Sequence, residues 1–299
     1  MLWNRVVTLS CIVAVLVIAT AGFPDGLVAM LTVTILAAPI LIVFRRYTEH
    51  KDFITNIFLF ALAVRLIFGA AVHVLDLRDF FGPDAFAYDA NGKMLADIWL
   101  GRTEIFISTG GASDLFSGVA WGMNYFTGGV YYLLGPNILA AQSICAVVGA
   151  ATAPMAYYCG YKIYGNIRVA KVSAVFLAVF PSFIIWSGQL LKDGFLLFLI
   201  IFVMTMTVLL QERINYLALT LLGVAMGGIM ALRFYIFYMV GIAVLGSLVM
   251  SFATTTGGIL RSVVLLTLLG FGLTYFGATD KVAQDYQNFG SLDLTHARP

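Results

Sequence analysis

Four charged residues of a mostly apolar sequence are of types that suit the transfer of a group away from a phosphate. They are Asp84, Lys192, Asp193 and Arg233. A carboxylate can accept the proton of an attacking hydroxyl group. Lysine and arginine can bind a phosphate and stabilise the charge that develops on it. Such chemistry requires elements that bring these side chains to one place.

Asp84 lies at a predicted helix start. It follows Gly82-Pro83, which is a turn signal. In the segment 84–100, apolar residues recur at helical spacing and several charged residues fall on another face. This pattern predicts an amphipathic surface helix with Asp84 near its N-terminus. An acid at this position would also serve as a helix cap, so the position alone allows both roles.

The second acid lies in a short polar link. Residues 187–194, SGQLLKDG, separate two long apolar runs, so Lys192 and Asp193 are expected at the level of the lipid headgroups, near the helix of Asp84. Arg233 interrupts the apolar stretch 215–252 and is predicted at the same surface, as a fixed cation beside a headgroup. The alternatives are that Lys192 and Asp193 end two helices and neutralise each other, and that Arg233 marks a turn.

The composition is that of a membrane protein. Of 299 residues, 61% are hydrophobic and 11% are charged, whereas soluble domains contain roughly 25% charged residues. This excludes a soluble enzyme and a disordered chain, and a net charge of +2 is too small for a nucleic-acid-binding surface. The three cysteines lie in apolar runs, without the spacing of a disulfide framework or a zinc site.

Nine apolar runs are long enough to cross a membrane as helices, since a span needs about 20 residues. The predicted fold is therefore all-α and polytopic. It comprises an N-terminal hairpin and loop (1–52), a transmembrane core (53–277) with an outer loop at 76–136, and a C-terminal tail (278–299). The nine predicted spans are 5–22, 26–44, 53–75, 137–160, 169–187, 194–210, 215–231, 236–252 and 259–277.

The distribution of lysine and arginine predicts the orientation. With a cytoplasmic N-terminus, the inside segments hold nine bases and three acids, and the outside segments hold seven bases and twelve acids, as the positive-inside rule requires. A further span at 119–135 would break this rule, so that segment is predicted to be an interfacial helix in the outer leaflet. The first 22 residues also resemble a signal peptide. We expect an integral plasma-membrane protein whose site faces the non-cytoplasmic side.

Two features within the spans predict helix packing. Arg65 lies about twelve residues into its span, where an unpaired charge is costly, so it should face the bundle and find a partner. Gly223 and Gly227 form a G-x-x-x-G pair, which is expected to let two helices approach closely.

Three segments resemble the GT-C superfamily of membrane glycosyltransferases, and are most similar to the branch of protein O-mannosyltransferases and lipid A aminoarabinose transferases. The resemblance covers roughly residues 57–235. Unlike many relatives, the chain has no Pro-Pro pair before the interfacial helix, and two spans precede the helix that matches the family's first. The segments are IFLFALAVRLIFGAAVHV, GPDAFAYDANGKMLADIWLG, and the run from YFTGGVYYLLGPN to SGQLLKDGFLLFLI.

The resemblance implies that a sugar is transferred from a polyprenyl-phosphate carrier on the non-cytoplasmic face. Asp84 matches the family's catalytic acid or base, here a general base, and Asp193 matches a second family acid. Lys192 and Arg233 are then expected to hold the donor phosphate. The residues expected to line the cleft for donor and acceptor are Tyr88, Asp89, Tyr125 and Gln189.

The expected partners are a polyprenyl-phosphate sugar donor, a lipid, glycan or protein acceptor, and the membrane, with a membrane partner subunit as a further expectation. A divalent cation, Mg²⁺ or Mn²⁺, held by Asp84 and Asp193 is compatible with their oxygen ligands, although no spacing requires it. The alternative functions are a transporter or flippase of lipid-linked sugars and a non-catalytic subunit of a glycan-assembly complex. The lack of sequence repeats argues against the transporter.

Cysteine accessibility tests the predicted topology. We expect Tyr164→Cys to react with a membrane-impermeant thiol reagent from the cytoplasmic side alone, because residues 161–168 are predicted inside. Asp79→Cys, in the predicted outer loop, should react from the opposite side. Labelling of position 164 from outside would show instead that residues 119–135 cross the membrane.

Overall fold

The computed structural model describes residues 2–102, 121–213, 215–252 and residue 267, and these form α-helices joined by short links. The chain divides into two compact units, Met1–Val240 and Gly241–Pro299, and the contacts reported below lie within the first. The helices are α1 (Leu2–Thr20), α2 (Asp25–Arg46), α3 (Lys51–Val74), α4 (Arg78–Phe81), α5 (Asp84–Trp99), α6 (Trp121–Leu134), α7 (Ile138–Tyr164), α8 (Ile167–Val179), α9 (Pro181–Ser187), α10 (Lys192–Glu212), α11 (Tyr216–Leu232) and α12 (Phe234–Phe252).

The described helices are those of a membrane-spanning protein. Five of them, α1, α2, α3, α7 and α10, are long and apolar enough to cross a membrane, and the bent pair of α8 and α9 is a sixth candidate. Helix α11 and the segment Phe234–Val249 of α12 are apolar but shorter. The predicted all-helical membrane fold is therefore confirmed, while the count of nine spans is not. The predicted span 259–277 lies outside the described residues, apart from residue 267.

The predicted span 169–187 is not one straight helix. It breaks at Phe180, and α8 and α9 meet there at 59°. Phe180 has an extended backbone, with φ −62° and ψ 114°, and Pro181 is at the start of α9. Proline has no N–H to donate and disfavours a helical conformation in the residue before it. Pro181 therefore accounts for the break, which the pattern of apolar residues alone does not reveal.

Helix α7 lies at the centre of the bundle and packs against α2, α3, α8 and α10. Most of its residues are buried, and many of these are alanine or glycine, which let neighbouring backbones approach closely. Asn137 caps its start by accepting a hydrogen bond from the Ala140 N–H at 2.9 Å. Its end is Gly165, with a φ of +61°, a conformation that glycine adopts without strain.

Arg65 in α3 is fully buried and holds the broken span in place. Its guanidinium donates to the carbonyl oxygens of Leu177 at 3.0 Å and Ala178 at 3.3 Å, both in the last turn of α8. It also donates from Nε to Ser187 Oγ at 2.8 Å. The last carbonyls of a helix have no partner within the helix and favour a nearby cation. The prediction that Arg65 faces the bundle and finds a partner is confirmed.

The link after α9 fits against neighbouring helices because glycines face it. A Cβ on Gly149 of α7 would lie 2.4 Å from Ser187 Cβ, and one on Gly69 of α3 would lie 2.1 Å from the Gly188 carbonyl oxygen. A Cβ on Gly194 would also lie 2.9 Å from Ser187 Cβ. Contacts this short leave no space for a side chain, so these glycines determine where the link lies.

The G-x-x-x-G pair has no such neighbours. A Cβ on Gly223 or Gly227 of α11 would meet no described atom within 4 Å. The prediction that this pair lets two helices approach closely is therefore wrong for the described part of the chain. Its spacing places both residues on one helix face, but that face has no close partner here.

Two glycine substitutions test this difference. Gly149→Ala should destabilise the protein by about 1–3 kcal/mol, the usual cost of overpacking, because the new methyl group would overlap Ser187. Gly223→Ala is the matched control, and it should be neutral or stabilising by up to about 1 kcal/mol, because alanine favours a helix more than glycine does. Thermal unfolding of the purified variants measures both effects, and equal melting temperatures would contradict this account of the link.

Candidate functional site

The link between α9 and α10 places two charged residues side by side at the start of a helix. Leu191 has an extended backbone, α10 begins at Lys192, and Asp193 follows in its first turn. Successive helical residues point about 100° apart, so the two side chains reach different neighbours. Lys192 contacts α5, and Asp193 contacts Arg233 between α11 and α12.

Lys192 joins the start of α10 to the start of α5. Its Nζ lies 3.5 Å from Asp84 Oδ2 and donates a hydrogen bond of 2.8 Å to Tyr88 Oη, one turn further along α5. The Lys192 side chain is 12% exposed, whereas that of Asp84 is 62% exposed. The Lys192 ammonium group is thus largely buried and bound to Tyr88, while the Asp84 carboxylate remains accessible to solvent.

Asp84 is the first residue of α5, as predicted, but it does not act as the N-cap. The N-cap position is Pro83, and no side-chain hydrogen bond caps this helix start. The carboxylate contacts the lysine of another helix instead. An acid in the first turn is also favoured by the helix dipole.

Asp193 and Arg233 form the second ion pair. Arg233 Nη2 donates to Asp193 Oδ1 at 2.9 Å, and both side chains are a little under one-third exposed. Arg233 Nη1 donates to the hydroxyl of Tyr235. Arg233 is the residue between α11 and α12, with an extended backbone. It therefore marks a turn, as the alternative interpretation had it, and also contacts the second acid.

The structure thus brings the four predicted residues together as two ion pairs. The pairs are joined through the consecutive residues Lys192 and Asp193. Each pair contains one carboxylate and one cation, so the cluster is neutral in sum. It can accept a proton at an exposed carboxylate and stabilise an anion at two cations.

An open groove with a mostly aromatic and aliphatic lining includes the second ion pair. It has a volume of about 480 Å³ and is bounded by α8, α9 and α10. Asp193 and Arg233 are its charged lining residues, and the rest of its lining is mostly aromatic or aliphatic. A long apolar chain that ends in an anionic group would match this distribution. The aromatic residues that line it are Phe176, Phe180, Phe183 and Trp186.

Asp89, assigned to the cleft from the sequence, holds α5 against α6. It accepts a short hydrogen bond from Tyr131 Oη of α6 and forms an ion pair of 2.7 Å with Lys93 of its own helix. Burial of the Tyr131 ring and this hydrogen bond raise the pKa of the Tyr131 phenol, so the phenol remains a hydrogen-bond donor at neutral pH. The Asp89 carboxylate is therefore already engaged, and its assignment to the cleft stays a prediction.

The other predicted cleft residues differ in their positions. Tyr88 contacts Lys192. Gln189 is 1% exposed and donates to the Ile185 carbonyl oxygen at 3.1 Å, so it supports the link from inside. Tyr125 packs against Trp99, with ring centroids 6.0 Å apart, at the opposite end of α5 from Asp84. The structure therefore does not place Tyr125 beside Asp84.

Two sets of residues near the site were not predicted from the sequence. Tyr235 lies two residues after Arg233 and contacts its guanidinium, and the aromatic residues at 176–186 line the groove. The sequence signal for the second set is a run of aromatic residues just before the polar link. The sequence alone does not show that these residues line a groove, because the groove is lined by both helices of the pair that bends at Phe180.

A metal between the two acids was a further expectation. Asp84 and Asp193 each contact a protein cation. The described part of the chain contains no group of three or more His, Cys, Asp or Glu side chains placed to hold a metal ion. A metal held by Asp84 and Asp193 therefore stays a prediction, and no step proposed below depends on one.

Comparison of the chain with family models, with curated proteins and with solved structures finds no match. The resemblance to GT-C glycosyltransferases therefore rests on the sequence segments alone. The physical basis for a function is the pair of linked ion pairs and the groove beside them.

Asp89→Asn tests the structural role of Asp89. The variant removes a charge-assisted hydrogen bond and an ion pair, and we expect a loss of roughly 1.5–3 kcal/mol of stability, as for hydrogen bonds to charged groups. Asp97→Asn, two turns further along the same helix, is the control and should change stability by less than about 0.5 kcal/mol. Thermal unfolding measures both variants. An Asp89→Asn variant as stable as the wild type would contradict the structural role of Asp89.

Proposed function

We propose that this protein is a membrane glycosyltransferase that transfers a sugar from a polyprenyl phosphate to a hydroxyl group of a lipid, glycan or protein acceptor. The observation that carries the proposal is the pair of ion pairs at the start of α10, beside an apolar groove. The likeness of the sequence to the GT-C superfamily supports the same reaction.

The accessible carboxylate supports the first half of this reaction. The acceptor oxygen forms a bond to the anomeric carbon and loses its proton to Asp84, acting as general base. Asp84 is the more exposed partner of its ion pair, so an acceptor can approach it from solvent. The hydroxyl of Tyr88 accepts a hydrogen bond from Lys192 and so holds the lysine of this pair in position.

The two cations support the second half of the reaction, in which the phosphate departs. The bond between the anomeric carbon and the phosphate oxygen breaks, and the polyprenyl phosphate leaves with the electron pair. Lys192 and Arg233 would stabilise the charge on the departing phosphate. A guanidinium has five N–H donors; Asp193 and Tyr235 each take one from Arg233. Terminal N–H groups therefore remain for a phosphate.

The groove supports a lipid-linked donor rather than a soluble one. Its aromatic lining provides apolar surface for a polyprenyl chain, and Arg233 in the same lining provides a place for the phosphate. Apolar burial contributes about 25 cal/mol per Å², which favours a long prenyl chain over a short one. On this proposal the chain lies along the bent helix pair and the phosphate lies near Arg233.

Asp84→Asn tests the role of the general base. The amide keeps the shape of the side chain but cannot accept the proton, so sugar transfer should fall by roughly 10²–10⁴-fold. Binding of a long-chain polyprenyl phosphate should stay within about twofold of wild type, which corresponds to roughly 0.4 kcal/mol. The measurement is mass-spectrometric detection of the product, with polyprenyl-phosphate hexoses as donors. Asp97→Asn is the matched control, and transfer at the wild-type rate by Asp84→Asn would remove the assignment.

Lys192→Gln and Arg233→Gln test the phosphate site. Each removes one cation from the leaving group, so binding of polyprenyl phosphate should weaken by about tenfold or more, while binding of the uncharged polyprenol should change little. Native mass spectrometry of the purified full chain measures both lipids. Equal losses for phosphate and alcohol would contradict a phosphate site, and flux of lipid-linked sugar without any covalent product would favour a transporter.

A further inference from the structure

A second cavity lies at the opposite end of α10 from Lys192 and Asp193. It has a volume of about 340 Å³ and is bounded by α2, α3, α7, α10 and α11. Its lining is mostly aliphatic and aromatic, and includes Phe44, Ile54, Met155, Met206, Leu209 and Leu221. A cavity of this size lies in the range of about 300–1,000 Å³ that is usual for ligand sites.

The rim of this cavity combines exposed apolar residues with a cation. Val43 and Leu217 are 54% and 64% exposed, so the cavity opens beside surfaces that suit lipid chains. Arg213 also lines it and is the residue just after α10. Its side chain forms no hydrogen bond or ion pair with another described residue. The neighbouring acid, Glu212, is already paired with Lys162 at 3.0 Å.

We propose that this cavity binds a phospholipid with an anionic headgroup, with one acyl chain inside the cavity and the headgroup at Arg213. The lining matches the apolar chain, and Arg213, whose side chain pairs with no other residue in the described part of the chain, matches the negative charge. The charge distribution of the sequence places this end of the helices at the cytoplasmic leaflet, which is rich in anionic lipids. Basic sites between helices on that side are suited to such headgroups.

This site is independent of the proposed sugar transfer. The two sites lie at opposite ends of α10, a helix of 21 residues, which is about 30 Å long. Lipid binding can therefore be measured without a donor, an acceptor or any catalytic readout.

Native mass spectrometry of the full chain in detergent tests the charge at the rim. Phosphatidylglycerol should bind about fivefold or more tightly than phosphatidylcholine with the same acyl chains, since one surface arginine contributes about 1 kcal/mol. Arg213→Gln should remove most of this preference. Arg168→Gln is the matched control, because Arg168 is an exposed base at the same end of the bundle but does not line the cavity.

Filling the cavity tests the site of the acyl chain. Ala218→Leu adds volume at a buried position that lines the cavity, and should weaken binding of both phospholipids by about fivefold or more. Equal affinity of the wild type for the two lipids would overturn the proposal. So would an equal loss in Arg213→Gln and Arg168→Gln, or full lipid binding by Ala218→Leu. Binding of glycerol phosphate as tightly as phosphatidylglycerol would show a site for soluble anions instead.

Discussion

The candidate site depends on the hydrogen bonds that the buried guanidinium group of Arg65 donates. A charge inside a membrane protein is costly unless its donors are satisfied, and here the acceptors come from a break in another helix. The carbonyl oxygens of Leu177 and Ala178 and the hydroxyl of Ser187 lie on both sides of that break. Arg65 therefore holds together the two arms of the bent pair, and through Ser187 it positions the link that follows.

The position of the link in turn sets the geometry of the ion pairs. Gly69 and Gly149 leave no room between the link and the neighbouring helices, so the start of α10 has little freedom to shift. Lys192 and Asp193 can then reach an acid and a base from distant parts of the chain, Asp84 and Arg233. Rigid support of this kind is what positions reacting groups accurately. Three of its four residues, Asp84, Lys192 and Asp193, lie in the first turns of helices, where side chains are better fixed than on loops.

The sequence predicted the parts of this arrangement that depend on local pattern. The start of α5 at Asp84 follows from a turn signal and helical spacing, and the burial of Arg65 follows from its depth in an apolar run. The partners of Arg65 could not be predicted, because they lie on both sides of a backbone break, and the first of them, Leu177, is 112 residues further along the chain. The contact of Asp89 with Tyr131 depends on how α5 crosses α6, and periodicity gives a face but no neighbour. For the same reason, the spacing of Gly223 and Gly227 did not reveal whether another helix faces them.

The separation between Arg65 and its acceptors also affects how the protein is made. Residue 65 is synthesised 112 residues before Leu177, and at about 5–20 residues per second the delay is roughly 6–22 seconds. During this interval α3 must enter the bilayer with its arginine lacking those acceptors, at a cost of about 2.5–3.5 kcal/mol on insertion scales. The strongly apolar composition of α3, whose most apolar 18 residues have a mean hydropathy of 2.2 even with Arg65 included, offsets this cost. The leucine, isoleucine and phenylalanine content of this helix thus serves membrane insertion during translation, before it serves the packing of the finished bundle.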